Sequence, residues 1–214
     1  MTPKRNIKNL QKKSTYPLLE SIALEDGQHH LLPYHQKRIA RAFQAFWPSA
    51  KPHQLEHILA QHLLPQKGLY KLRFLYSEDT YQLEIHPYKP REIKSLAIQV
   101  LPATYQYTHK YTDRTVLTEL KRLHAADEVL FFRQGLLMDA YYYNVLVLKD
   151  QELFTPKDPL LQGCMRASLL DKEKIIPLTI DQTFLKQSEG VYLINALNPI
   201  HRAPFVQSDH IQFD

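Results

Sequence analysis

Apolar and polar residues alternate through YPLLESIALEDGQHHLLP, residues 16–33, in two runs split by Asp26-Gly27. A period of two predicts strands, and Asp-Gly between them predicts a tight hairpin turn. The period then changes. In YHQKRIARAFQAFW, Ile39, Ala42, Phe43 and Phe46 recur at helical spacing, and Pro48 closes the run. KPHQLEHILAQHLL predicts a second helix, with Pro52 near its start and Leu55, Ile58, Leu59 and Leu63 turned inward. GLYKLRFLYS and TYQLEIHPY, split by Ser-Glu-Asp, return to the strand period. The block reads β-β-α-α-β-β.

YKPREIKS, residues 88–95, holds one proline and four charges and is the best linker candidate. It divides the chain into a small α/β domain over 1–90 and a larger domain over 91–214. In the second, SLAIQVLP predicts a strand. TDRTVLTELKRLHAA predicts a helix capped by Thr112 or Asp113, with Val116, Leu117, Leu120 and Leu123 on one stripe. DEVLFF, GLLMDAYYYNVLVLK and ELFTP predict three strands in a row. QGCMRASLLDK predicts a short helix, KIIPLTI a strand, then a brief helix and the strand GVYLINAL. Strands outnumber helices without clean βαβ alternation, so the expected class is a two-domain α+β or α/β protein.

Composition narrows the function classes. The 214 residues are 44% hydrophobic and 23% charged, an ordinary soluble globular balance. No apolar run is long enough for a membrane span, and no apolar segment follows the basic MTPKRNIKNLQKK, so neither membrane insertion nor secretion is expected. One cysteine forbids an internal disulfide and suits the cytoplasm. The net charge of +5 suits an anionic ligand; no nucleic-acid motif, zinc-ligand spacing, P-loop or dinucleotide fingerprint is present, so neither nucleic acid nor metal is expected.

Within this frame a few residues could carry chemistry. Asp139 stands in an apolar, aromatic stretch, where alternation would put it on one face with Leu137, Tyr141 and Tyr143. A buried carboxylate there needs a cation. Lys110 sits one or two residues before the expected helix; the partial positive charge of a helix start and the shielding of Tyr107 and Tyr111 would lower its pKa toward that of a nucleophile. Arg38 lies near the buried face of the first helix, placed to clamp a phosphate. Gly163 opens a helix whose free amides could cradle an anion. Asn195 follows an apolar strand and enters a turn. Singly, each has an ordinary structural reading: a solvated lysine, a paired acid, a surface arginine, a plain turn.

Their order is more specific. LLESIALEDGQHHLLPYHQKRI, then HKYTDR, then ADEVLFFRQGLLMDAYYYNVLVLKDQELFTP, then GCMRASLL and finally LINALNP together resemble the aminotransferase class IV family, the fold-type IV pyridoxal-phosphate enzymes, from about Pro17 to Arg202. The resemblance implies a small α/β domain beside a larger barrel-like β domain with helices. It implies that Lys110 forms a Schiff base with pyridoxal 5'-phosphate and is the catalytic residue. Arg38 would bind the phosphate with the backbone of Gly163, Cys164 and Met165. Asp139 would meet the protonated pyridine nitrogen, which is then the missing cation. Asn144 would serve the strand structurally, Asn195 and Ala196 would approach phosphate and substrate carboxylate, and Arg73 would face the substrate. A homodimer acting on a small anionic amino-acid-like substrate is also implied.

Three features depart from the family pattern. Asp139 stands where glutamate is usual, the usual amino-terminal strand is missing or replaced by KRNIKNLQKK, and the turn after the acid is the bulky Ala140-Tyr141-Tyr142-Tyr143. Among family activities, LINAL and the short chain favour the resemblance to 4-amino-4-deoxychorismate lyases, which eliminate pyruvate to give 4-aminobenzoate for folate. The alternatives are an aminotransferase of branched-chain or D-amino acids and a protein that binds the cofactor without catalysis.

Overall fold

The structure, a computed structural model, describes residues 15–213. The basic segment expected to replace the amino-terminal strand lies outside the described residues. The chain divides into two units: one runs to Lys89 and adds His109–Asp113, the other holds Pro90–Thr108 and Arg114 onward. Lys110 therefore packs with the first unit, whereas the sequence division had assigned it to the second.

The first unit is an antiparallel sheet of β1 (Leu18–Glu25), β2 (Gln28–His29), β3 (Leu69–Tyr76) and β4 (Tyr81–Pro87), ordered β2-β1-β3-β4. The Asp26-Gly27 turn closes the first hairpin with positive φ at both residues, the geometry that two-residue hairpins favour. One face of β1 buries Leu18, Glu20, Ile22 and Leu24, set against Tyr76, Phe74, Leu72 and Tyr70 of β3. Helix α1 (Leu32–Phe46) buries His35, Arg38, Ile39, Ala42 and Phe43, a single stripe at i, i+3, i+4, i+7 and i+8. Two polar residues on that stripe anticipate a polar partner on the sheet.

Helix α2 is shorter than expected, Leu55–Ala60, and Leu63 is 100% exposed instead of inward. Pro65 follows closely, and the residue before a proline avoids the helical region, so the chain leaves the helix early.

The second unit holds two sheets around one core. A four-stranded sheet runs β13-β5-β6-β7, built from β5 (Leu96–Val100), β6 (Glu128–Arg133), β7 (Leu136–Ala140) and β13 (Ile211–Gln212). A five-stranded sheet runs β10-β9-β8-β11-β12, from β8 (Asn144–Lys149), β9 (Glu152–Pro156), β10 (Ile176–Leu178), β11 (Gly190–Ile194) and β12 (Phe205–Gln207). Ile98, Leu130, Phe132 and Leu137 from the first meet Val145, Val147, Val191 and Leu193 from the second in one apolar cluster. Helices α3 (Thr115–Arg122), α4 (Cys164–Asp171) and α5 (Gln182–Lys186) join the strands.

Three local expectations are corrected here. Residues 135–149 are two strands in different sheets, because Tyr141–Tyr143 form a bend between β7 and β8. A register shift in the β6–β7 pairing sets Leu137 opposite Phe132 and Asp139 opposite Phe131, so Met138 is an extra residue. Leu137 then joins the core with Phe132 while Asp139 turns to the other face, so the two do not share one. Helix α3 starts at Thr115 behind an Arg114 cap, with no cap from Thr112 or Asp113. It buries only Leu117 of the expected stripe and leaves Leu123 72% exposed.

Candidate active site

In the first unit the buried stripe of α1 meets the one acid on the buried face of β1. Glu20 accepts from Arg38 Nε at 2.9 Å, pairs with Arg38 Nη2, and lies 2.6 Å from His35 Nδ1. All three side chains are buried. Burial alone would raise the Glu20 pKa; the Arg38 guanidinium, with hydrogen bonds from His35 and Arg38, outweighs it and brings it down to about 2. The Nε–Nη2 edge of Arg38 is thus already joined to a carboxylate.

Lys110, half-buried, lies in a tight turn closed by Tyr111 N donating to His109 O at 2.9 Å, on the edge of β1 away from β3. Its carbonyl accepts from Leu19 N at 3.0 Å, and the adjoining Tyr111 bridges Leu18. One strand therefore brings the Lys110 backbone and the acid that anchors Arg38 to neighbouring positions. Lys110 stands five residues before α3, not one or two as the sequence predicts. Arg73, on β3 opposite Ser21, pairs with Glu84 across the sheet at 2.6 Å and stays partly exposed.

In the second unit the structure draws Asp139, Asn144 and Gly163 together. Asp139 is 3% exposed. Its Oδ1 accepts from Asn144 Nδ2 at 2.7 Å and its Oδ2 from Leu161 N at 2.9 Å. Asn144 Nδ2 also donates to Leu161 O at 2.9 Å, which closes a ring of contacts between the acid and the loop before α4. Among the described residues no cationic side chain forms an ion pair with Asp139; Arg166 acts on it only through its field. Burial dominates and pushes the carboxyl up to about 7, against the lowering pull of the Asn144 and Leu161 hydrogen bonds and of Arg166. Glu128 is also buried and raised, yet the amide of the adjoining Val129 is its one hydrogen-bond donor among the described residues. Asp139 differs in being aimed from two sides.

Gly163 precedes α4 with an extended backbone and no side-chain cap. Glycine is required here by proximity: a Cβ would overlap Asn144 Oδ1. The first-turn amides of Met165 and Arg166 have no acceptor within the helix and carry its positive end. Arg166 locks the start of the helix to β9, donating to Thr155 Oγ1 at 3.0 Å, Pro156 O at 2.7 Å and Gln162 Oε1 at 3.1 Å. The Thr-Pro pair and the later arginine of the sequence pattern are thus one physical unit.

Asn195 organises the turn after β11. Its Oδ1 accepts from Leu197 N at 2.9 Å and Asn198 N at 2.9 Å, and its Nδ2 reaches Tyr142 O at 3.3 Å. Ala196 sits within this turn, half-buried.

Sequence reasoning passed over Glu20, His35, Arg114 and Arg166. The first two had a readable signal: an acid on the apolar face of a predicted strand, and a histidine three residues before an arginine on one helical stripe.

The Amino-transferase class IV family model matches residues 18–203. An uncharacterised protein of Haemophilus influenzae is 28% identical over 186 residues, 86% of this chain and 98% of its own. A crystal structure from Haemophilus somnus, provisionally named a 4-amino-4-deoxychorismate lyase, is 33% identical and superposes with a TM-score of 0.81 over 86% of this chain and 97% of that one. A Mesorhizobium loti structure, provisionally named an amino-acid aminotransferase, is 20% identical at a TM-score of 0.77, over 92% of this chain and 100% of that one, and shares the fold. With its buried acid, its glycine-led helix and its two units of mixed sheet and helix, the chain belongs to the amino-transferase class IV family, and its architecture is that of the fold-type IV pyridoxal-phosphate enzymes.

Proposed function

We propose that the protein binds pyridoxal 5'-phosphate and uses it to eliminate pyruvate from 4-amino-4-deoxychorismate, leaving 4-aminobenzoate. The observation that carries the cofactor reading is Asp139: a buried carboxyl, oriented by two donors, with no cation paired to it and its pKa pushed to about 7. A protonated pyridine nitrogen is the partner such a group lacks. The residues fit the rest of the group as well. Gly163 gives the open approach and the first turn of α4 gives donors for a phosphate, and the resemblance to the family assigns Arg38 as a further cation. Because Glu20 already neutralises Arg38, the helix amides would carry the larger share of phosphate binding.

The cofactor, when bound, supplies an electron sink for the pair left when a bond at the amine-bearing carbon breaks. The chain supplies the proton handling. Lys110 Nζ takes the proton from that carbon and returns a proton to the methylene carbon of the leaving group as the carbon–oxygen bond breaks and pyruvate departs. Asp139 would keep the cofactor's pyridine nitrogen protonated. Arg73 attracts a substrate carboxylate. The identity of 33% to a protein provisionally named for this reaction, over 86% of this chain and 97% of that one, supports the lyase over the aminotransferase. The reading includes a homodimer, which sedimentation at working concentration tests.

The deciding experiment measures pyruvate release from aminodeoxychorismate by protein supplied with pyridoxal phosphate, with Lys110→Ala as control. Release that vanishes in the variant is expected. Amino exchange with 2-oxo acids in place of release would make it an aminotransferase. Cofactor uptake with neither reaction would leave a binding protein, and no uptake would sink the reading altogether.

A further inference from the structure

Asp139 and Asn144 sit on either side of the bend Tyr141–Tyr143, and every carbonyl of that bend has a partner. Tyr143 O accepts from Ala140 N at 2.9 Å, Tyr142 O from Asn195 Nδ2 at 3.3 Å, and Tyr141 O from Arg114 Nη2. The first closes the turn, and the second comes from a half-buried turn residue. The third comes from a largely buried guanidinium packed among aromatic rings. Arg114 lies 5.2 Å from the Tyr107 ring centroid, 4.7 Å from that of Tyr141 and 4.8 Å from that of Tyr142, and Nη1 donates to Tyr107 Oη at 3.1 Å. Thr118, one turn into α3, bonds both the Arg114 carbonyl at 2.9 Å and Tyr141 Oη at 2.7 Å. No carboxylate pairs with Arg114 among the described residues; its charge is met by faces of π-density and by hydroxyl and carbonyl oxygens.

A cation is costly to bury, and this one is spent on a single bend. The geometry points to Arg114 as a positioning residue: by fastening Tyr141 O it holds the reversal that returns Asn144 to Asp139. The effect runs through the backbone: Arg114 bonds Tyr141 O and makes no contact with Asp139, and the main charge felt there is that of Arg166 from α4. The bulky tyrosines of this turn then have a use. They are the walls that keep the guanidinium in place. The catalytic consequence of this inference rests on the proposed cofactor site; its physical content does not.

The test uses the protein without cofactor, with carbon-13 in the aspartate carboxyls, and follows Asp139 by NMR titration. In the parent chain a midpoint near 7 is expected. In Arg114→Met, loss of the Asn144 hydrogen bond removes a contact that favours the ionised form, and the midpoint rises by about one pH unit. Tyr107→Phe, which removes only the hydroxyl at the other end of the fork, leaves it where it was. Should Arg114→Met not fold, Arg114→Lys carries the test, with a smaller rise. A folded variant whose melting temperature falls while the Asp139 midpoint stays or drops would make Arg114 a structural clamp only, and the inference fails. With cofactor bound, Arg114→Met loses about tenfold in kcat with KM little changed, as one unit at Asp139 implies. Failure of the parent chain to take up cofactor would strike the proposed function alone, since the titration needs none.

Discussion

Glu20 in the first unit and Asp139 in the second are both buried among apolar strands, and the two are treated in opposite ways. Glu20 is met inside its own unit by an arginine and a histidine three residues apart on one helix, and its pKa falls to about 2. Asp139 is met by an amide side chain and backbone amides, none of them charged, and its pKa rises to about 7. A carboxylate satisfied by its own chain has finished its work on folding. One that is aimed yet unpaired is kept ready for a cation from outside. This contrast, more than burial itself, marks the second unit's acid as the one that faces chemistry.

The sharpest way to break the comparison is Glu20→Ala. It strands Arg38 and His35 under α1, and removal of one partner from a buried charged cluster costs about 3–5 kcal/mol. Urea unfolding at neutral pH measures it. A loss below about 1 kcal/mol would mean that the cluster relaxes into water and that the two acids are not opposites.

The pH dependence tests the same contrast with nearly equal size. Asp139 binds its proton more tightly when folded, so its contribution is complete below about pH 4 and is lost as pH climbs through 7. From the ordinary value of 3.8 to about 7 this amounts to about 4 kcal/mol at most. Glu20 runs the other way: its contribution is present above 4.5 and lost as pH falls through about 2. Cofactor-free protein should therefore lose stability between pH 4 and 7, and Asp139→Asn should flatten that slope. Thermal unfolding across the range settles it; a slope unchanged by the substitution would remove Asp139 as its source.

What could be read from the chain beforehand follows the range of each cause. The strand and helix periods, the Asp26-Gly27 turn and the unsuited acid at Asp139 depend on local pattern, and all were legible. Glu20 was equally legible by the same logic, since Leu18, Ile22 and Leu24 flank it at period two, but its partners lie on another element. The bulge at Met138 was not readable: one extra residue turns the acid to the opposite face without any change of composition. Nor was the late start of α3, where Thr112 and Asp113 are good caps by type, yet Thr112 is drawn to the first unit, its Oγ1 donating to Tyr16 O at 2.8 Å. Gly163 could be guessed as a helix opener, but the reason it must be glycine lies nineteen positions earlier, at Asn144.

That approach sets the next test. Gly163→Ala drives a methyl group into Asn144 Oδ1, and overpacking of this kind costs about 1–3 kcal/mol. The asparagine must move or α4 must shift. Either disturbs Asp139, so a fall in melting temperature should come with a displaced Asp139 titration. The same fall with the titration intact would separate the helix from the acid and weaken the view that they form one site.

The smallest effect belongs to Arg73, and its smallness is informative. Its pair with Glu84 spans a cross-strand position open to solvent, and such pairs contribute about 1 kcal/mol or less. Arg73→Gln should leave thermal unfolding nearly unchanged. If the arginine attracts a substrate carboxylate, KM for aminodeoxychorismate should rise several-fold at constant stability. Arg38 cannot be examined so cleanly, because its removal also strands Glu20 in the core. A charge weakly held by its own fold is free to serve a ligand, whereas one locked in a buried cluster is not; an unchanged KM in Arg73→Gln would show that weak attachment alone does not mark a ligand-binding arginine.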